Sequence, residues 1–359
     1  MRNMFSNYPV LRVVGAVLLL QCSSALSSPA VGPTTISGGV VLREIVQIPT
    51  VASAENLAVR HNGEILLTST KTTSLFQISP NKAKAPIKVA QIPNAVGLLG
   101  ITELEKDVFY VVAWANVSGK DPGANAIWKV DMRKYRTLAS GAVAQPAHVS
   151  LVAKIPDSQI LNGMCRMGLN DTSNLLIADS GAGTVIKLDV NTAAYEIVIR
   201  DPTTANLPGG FVPPAPGSSS ISVDGIHVHG SDLYFTNLNQ GLFVKVPISL
   251  TTGVATGPAE VLVDKIFGDD FILSEDGKRA WIAMNGQNTL VEVDILGKTA
   301  RVIANSTFLS QDTAVAFGRT VRDRNSLYIS GAGIFGSNST VSASIVRADL
   351  LHGDTGRWL

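Results

Sequence analysis

Cysteine, charge and long apolar runs are all scarce in this chain, and each scarcity excludes something. Of its 359 residues, 16% are charged and the net charge is +1, so there is no basic surface to attract a nucleic-acid backbone. Only two cysteines occur, Cys22 and Cys165. Cys22 falls in a stretch expected to be cleaved off, which leaves Cys165 alone and allows no intrachain disulfide. Cys165 reads as a buried structural thiol, because no His or Asn partner stands at an interpretable position to make it a nucleophile. The apolar stretch Val13 to Leu20 is far too short to span a bilayer.

That stretch instead has the form of a secretory signal. Arg2 and Arg12 precede it, and the small residues Ser23 and Ala25 follow at cleavage-site spacing. The expected division is a signal peptide over 1–25, a linker over 26–39 and one domain over 40–359. Four Asn-x-Ser/Thr acceptors, at Asn116, Asn170, Asn305 and Asn338, agree with a secreted glycoprotein that has no further membrane association.

The body of the chain is built from short runs, too short for helices, punctuated by 32 glycines and 17 prolines. Leu161 to Asp189 shows the unit most cleanly: a polar dipeptide opening an apolar run, a second run ending at Asp179, and a third closing on Asp189. The third run recurs as Leu75 to Ser79, Ile127 to Asp131, Val185 to Asp189, Leu242 to Val246, Leu290 to Asp294 and Ser344 to Asp349. Copies about 45 to 60 residues apart match one four-stranded propeller blade. The fold predicted is all-β, a six-bladed propeller. The orphan run Val40 to Ile48 supplies the strand that the last blade lacks and removes its open edge.

Ile-Pro pairs closing outer runs at Pro49, Pro93 and Pro156 set the register. Six residues past each lie Glu55, Leu99 and Asn162, and the later blades open at Asp224-Gly225, Asp269-Asp270 and Asp312-Thr313. Innermost strands line the central channel, so these openings should converge on one mouth of it. The insertion Asp201 to Ser220, rich in Pro, Gly and Ser, enters beside Asp224. It reads either as a solvated loop or as a pocket wall carrying Phe211. His227 and His229 share one face of a strand and read as packed or solvated rather than as ligands. Gly331, Gly333 and Gly336 spell a dinucleotide fingerprint by letter but lack a following helix.

Glu55 before an apolar strand, Asn162-Gly163-Met164 and Asp224-Gly225-Ile226 resemble motifs of the gluconolactonase and senescence-marker-protein family, across most of residues 40 to 350. That resemblance implies a six-bladed propeller in which Glu55, Asn162 and Asp224 are candidate ligands of calcium or magnesium, with Asp224 also placed as a base. Two carboxylates and an amide oxygen suit a hard cation. The family's second blade supplies an Arg and an Asn-Asp-Gly that grip the sugar lactone, whereas here that blade opens Leu98-Leu99-Gly100-Ile101. Aromatic residues near the mouth, Phe109, Tyr110, Trp114 and Phe271, suit an apolar substrate or else inter-blade packing.

The pattern of signal, sequons, lone mature cysteine and eroded lactonase motifs is also similar to the secreted propellers of fungal natural-product pathways, including hetero-Diels-Alderases of tropolonic sesquiterpenoid biosynthesis. This resemblance implies an enzyme joining a tropolone quinone methide to a terpene alkene, with small apolar metabolites as its partners and no cofactor required; the propeller is expected to be a monomer. The runner-up is a divalent-metal lactone hydrolase, and a non-catalytic binder follows. The catalytic set expected is Asp224, Glu55 and Asn162. The substrate-lining set is Asn56, Thr102, Trp114, Phe211, Asp270 and Phe271.

Overall fold

A computed structural model describes residues 34–350, apart from 38, 49–52, 82–83, 115–124, 212–219 and 337–338. The signal peptide read over 1–25 and the sequons at Asn116 and Asn338 lie outside the described residues. The short runs are strands. Blade one comprises Ala54–Val59, Ile65–Ser69, Ser74–Ile78 and Ile87–Gln91, and blade two Gly97–Glu105, Val108–Trp114, Ala126–Asp131 and His148–Lys154. Blade three comprises Leu161–Arg166, Asn174–Asp179, Thr184–Asp189 and Tyr195–Ile199. Blade four has Val223–His229, Asp232–Asn237, Leu242–Pro247 and Glu260–Asp264, and blade five has Gly268–Leu273, Arg279–Met284, Thr289–Asp294 and Thr299–Asn305. In each blade the first strand is innermost, and these innermost strands neighbour one another in blade order with the sixth returning to the first. The molecule is a six-bladed propeller.

Blade six is assembled from both ends of the domain. Asp312–Phe317, Ser326–Gly331 and Ala343–Leu350 pair in turn, and Val40–Ile48 then adds along Ala343–Leu350 from Val40↔Leu350 to Ile48↔Ala343. Thr34–Ser37, inside the stretch read as a linker, pairs with this strand and makes the blade five-stranded.

Recurring letters at the strand ends are turn chemistry. Asp189 Oδ1 accepts the Asn191 N–H at 2.8 Å, Asp131 Oδ1 the Arg133 N–H at 3.1 Å, and Asp294 Oδ1 the Gly297 N–H at 3.0 Å. A carboxylate closing its own backbone turn lets the third strand reverse with its leading amides paired. Between the blades lie the apolar contacts that hold the ring together. Trp281 meets Phe317 edge-on at 5.2 Å across blades five and six, and Phe243 meets Phe271 at 4.8 Å across blades four and five.

Burial corrects part of the candidate lining. Phe109, Tyr110 and Phe271 are buried in these inter-blade clusters and do not face the mouth. The physical reason differs by strand: Phe109 and Tyr110 stand on the second strand of blade two, away from the channel, whereas Phe271, on an inner strand, points between blades because the break in register ends before it.

Candidate functional site at the upper mouth

Each innermost strand carries such a break near its start. Ladder register shifts between Ala54 and Leu57, Leu98 and Ile101, Leu161 and Met164, Val223 and Ile226, Gly268 and Phe271, and Asp312 and Ala314. A bulge of this kind frees its residues from alternation and aims them off the sheet. Six breaks at one level make a ring consisting of Glu55, Leu99, Asn162, Asp224, Asp269 and Thr313. The mouth holding this ring, where the innermost strands begin, is here termed the upper one.

The glycines that follow in three blades have a packing cause. A Cβ on Gly163 would lie 2.3 Å from the Asp224 carbonyl oxygen, and one on Gly100 would lie 2.4 Å from the Asn162 carbonyl oxygen. A Cβ on Gly225 would lie 2.3 Å from Asp270 Oδ1. Asn-Gly and Asp-Gly are therefore pairs in which the first residue serves the ring and the second lets the next blade close in. Gly163→Ala is expected to destabilise the protein by about 2 kcal/mol or more, since the clash is with backbone that cannot step aside. A denaturation midpoint unchanged by that substitution would contradict the close approach.

The ring is acidic and short of cationic partners. Burial pushes the Glu55 carboxyl well above the usual carboxylate range, and Asp269 and Asp270 push it further. Glu55 keeps partial exposure, yet its carboxyl lies deep within protein. Asp224 is raised by burial and by Asp269, Glu55 and Asp270. Asp269 is pushed up to about 7 by burial, against a hydrogen bond from Asn285 Nδ2 at 2.6 Å that favours its ionised form, with Asp270 adding to the rise. Asp312, fully buried, is raised chiefly by burial; its Oδ2 accepts the Met284 N–H at 3.1 Å, while its Oδ1 has no hydrogen-bond partner. Carboxyls crowded in this way keep their protons to higher pH than free ones, and a protonated carboxyl is a hydrogen-bond donor.

Supporting hydroxyls fix the ring from behind. Thr313 Oγ1 and Ser330 Oγ donate to the Glu55 carbonyl oxygen at 2.6 and 2.7 Å. Thr236 Oγ1 donates to the Asp269 carbonyl oxygen at 2.5 Å and accepts the Gly225 N–H at 3.1 Å. Asn162 Nδ2 donates to Asp224 Oδ1.

Glu55, Asn162 and Asp224 thus meet in one ring, with Asn56 and Asp270 beside them at the second bulge position. Asp269, Asn285 and Asp312 were absent from the candidate site set. Asp269 shared the register signal of the other openings, whereas nothing local distinguishes Asn285, which reaches the site only through strand pairing. Thr102 lies half-buried deeper in the channel. Trp114, at the upper end of the second strand of blade two, is half-buried against the core between blades two and three. Phe211 stacks at a tilt on Phe267, 5.0 Å away, at the upper face of blades four and five. The loop behind it rests on the top turn of blade four, where Asn239 Oδ1 accepts the Leu207 N–H at 2.7 Å and Asn237 Nδ2 donates to the carbonyl oxygens of Thr203 and Ala205.

Cys165 is free and buried, and burial pushes its thiol up, as expected for an inert packing residue. Asn170 and Asn305 are exposed. No three His, Cys, Asp or Glu side chains among the described residues converge as metal ligands do. The ring nevertheless fits a hard cation in kind, because its carboxylates lack positive partners and Asn162 would offer oxygen after an amide flip.

No protein-family model matches the chain. Two curated relatives, both named as candidate hetero-Diels-Alderases, are similar along most of it. One, from Phoma sp, is 26% identical over 336 residues, 85% of this chain and 90% of that protein. The other, from Sarocladium schorii, is 23% identical over 316 residues, 77% and 74% respectively. Among solved structures, a luciferin-regenerating enzyme aligns with a TM-score of 0.62 at 15% identity, covering 89% of this chain and 98% of its own. Regucalcin from Agrobacterium tumefaciens, a calcium-binding protein, aligns at 0.57 and 16% identity, covering 90% and 96%. These structural likenesses concern the fold.

Proposed function

We propose that this protein is an enzyme that joins a reactive heterodiene, of the tropolone quinone methide type, to a terpene alkene by a hetero-Diels-Alder cycloaddition in the upper mouth. The observation that carries this reading is a ring of buried, mutually crowded carboxyls interrupted by Leu99, together with likeness along most of the chain to proteins named for that reaction. A cycloaddition forms one C–C and one C–O bond from the π electrons of the partners and consumes no proton. The protein need only orient the two partners and draw electron density toward the heterodiene oxygen. Asp269 and Asp224, both pushed up by burial, would supply that polarisation as hydrogen-bond donors when protonated. Blade two brings Leu99, packed in the core between blades two and three, where the lactonase family grips a sugar, and Trp114 and Phe211 supply apolar surface at the upper edge.

A second reading has its own support in the Glu55, Asn162 and Asp224 ring and in the likeness to regucalcin. Those three side chains would hold calcium or magnesium, which when bound supplies Lewis-acid polarisation of a lactone carbonyl. Asp224 would then take the proton of the attacking water.

The test is formation of a dihydropyran from a generated quinone methide and a cyclic terpene alkene, beside hydrolysis of a lactone panel. The expected result is stereoselective dihydropyran formation that survives chelator. Asp224→Asn should lower it by about one to two orders of magnitude through one lost hydrogen bond. Chelator-sensitive lactone opening abolished by Asp224→Asn would establish the hydrolase instead, and inactivity in both assays would leave a binding protein.

A further inference from the structure

Beneath the carboxyl ring, two side chains meet across the channel. Asn56 Nδ2 in blade one donates to Asp270 Oδ2 in blade five at 2.7 Å, although blade six stands between those blades. Both side chains are held by backbone near their own positions. Asn56 Oδ1 accepts the Leu57 N–H at 2.9 Å, which turns its NH₂ group toward the channel, and the Asn56 N–H is itself held by Thr68 Oγ1 at 2.9 Å. Asp270 Oδ1 accepts the Phe271 N–H at 2.7 Å and contacts His227 Nε2 of blade four at 3.2 Å. Asp270 lies over Gly225, where any side chain would displace it. The chain of contacts runs from blade one through blade five to blade four, so it spans the channel between opposite blades.

Below it lies a second level. Ala58, Thr102, His227, Ile272 and Ala316 occupy equivalent positions on five innermost strands, and all are half-buried although they sit at the centre of the molecule. Ala58, Ile272 and Ala316 touch the inter-blade clusters on one side, and on innermost strands the exposure they keep is toward the central channel. The far end is laced as well: Arg319 of blade six donates to Glu103 Oε2 of blade two and to the Val59 carbonyl oxygen of blade one at 3.0 Å. Arg166 of blade three donates to the Glu103 and Leu104 carbonyl oxygens at 2.5 and 2.8 Å.

We propose that the Asn56–Asp270–His227 bridge is the floor of the upper pocket, that it closes off a chamber lined by small and apolar side chains below, and that Asn56 thereby limits the length of the apolar partner admitted from above. The chamber floor is the Arg319–Glu103–Arg166 lacing. Removing the Asn56 amide joins pocket and chamber, and a longer hydrocarbon then finds Ala58, Ile272 and Ala316 to bury against. The bridge follows from the hydrogen bonds alone, whereas the length limit rests on the upper mouth being the substrate site, as proposed above.

Two measurements separate these parts. A reporter thiol is placed in the chamber by Ala316→Cys, in a chain with Cys22 and Cys165 both changed to Ala, and its reaction with methyl methanethiosulfonate is timed. It is expected to be protected, and adding Asn56→Ala should speed labelling by about tenfold or more, because reagent no longer waits for the bridge to open. Asn56→Ser, which keeps an acceptor for the Leu57 N–H, provides the same comparison if the alanine variant folds poorly. Equal labelling rates with and without Asn56 would overturn the floor. In the second arm, a generated quinone methide is offered alkyl vinyl ethers of increasing chain length, and Asn56→Ala should extend the range of chains accepted. Faster labelling with an unchanged length range would keep the floor and overturn the length limit. Absence of cycloaddition with every ether in both proteins would overturn the length limit together with the functional reading, and leave the labelling result standing.

Discussion

Deleting Val40–Ile48 is expected to prevent folding altogether. The strand is the fourth of blade six, paired along Ala343–Leu350 over its whole length, and without it that edge of the ring is an open ladder of unpaired donors and acceptors. Val40, Leu42, Val46 and Ile48 are all buried, Leu42 completely, in the two clusters flanking blade six. At about 1.5–3 kcal/mol for each fully buried aliphatic side chain, losing four exceeds a large share of the marginal stability of an ordinary domain. The expected product is aggregated or molten protein by size exclusion and near-ultraviolet circular dichroism. A monomer melting like the parent would show that the ring does not depend on this closure. Deleting Thr34–Ser37 should matter far less, since that strand adds to the outer edge of a blade already complete.

Stability of the cation-free protein is expected to decline as pH rises from about 5 to about 8, opposite to the common behaviour of carboxylate-rich surfaces. Asp269 has a folded pKa near 7, above the ordinary carboxylate value of about 4. Its contribution is therefore complete below about pH 4, falls once the unfolded chain releases its proton, and is gone above about 7. Across that interval the loss is on the order of 4 kcal/mol, most of it inside the measured window. Glu55, Asp224 and Asp312 are shifted in the same direction. The paired surface carboxyls do not mask this effect: Glu260 and Asp276 are held down to about 2 by lysine and serine partners and are ionised throughout the window. Melts of dialysed protein should lose several degrees between the two ends, and Asp269→Asn should flatten the curve. A melting temperature that rises toward pH 8 would mean the ring is ionised and compensated. Recovery at pH 8 on adding calcium would identify a cation as the compensating charge and strengthen the hydrolase reading.

The six-fold period was legible because each third strand must bury alternate side chains between two blades and then turn, and Val185 to Asp189 or Leu290 to Asp294 records both needs in five letters. Glu55, Asn162 and Asp224 were legible for a related reason. A fixed count from the end of each outer strand to the bulge of the next inner strand places one residue per blade at the mouth, and Gly163 and Gly225 mark where the neighbouring blade closes in. Aromatic letters near those counts misled. Phe109 and Phe271 look available in a list of residues, but one step of strand alternation puts each between blades, and only the ladder register shows where alternation is broken.

Local sequence determined the strands, the number of blades and which residue types arrive at the channel, since turn chemistry, strand period and the glycine demand of a close approach all act over a few residues. Tertiary structure decided how those residues meet. Asn56 and Asp270 are 214 residues apart and bond only because the ring closes, and the Glu55 and Asp224 carboxyls are pushed up because burial and the closing of blades one, four and five bring other carboxyls against them. Charge repulsion and desolvation depend on distance through space, which no span of neighbouring letters encodes.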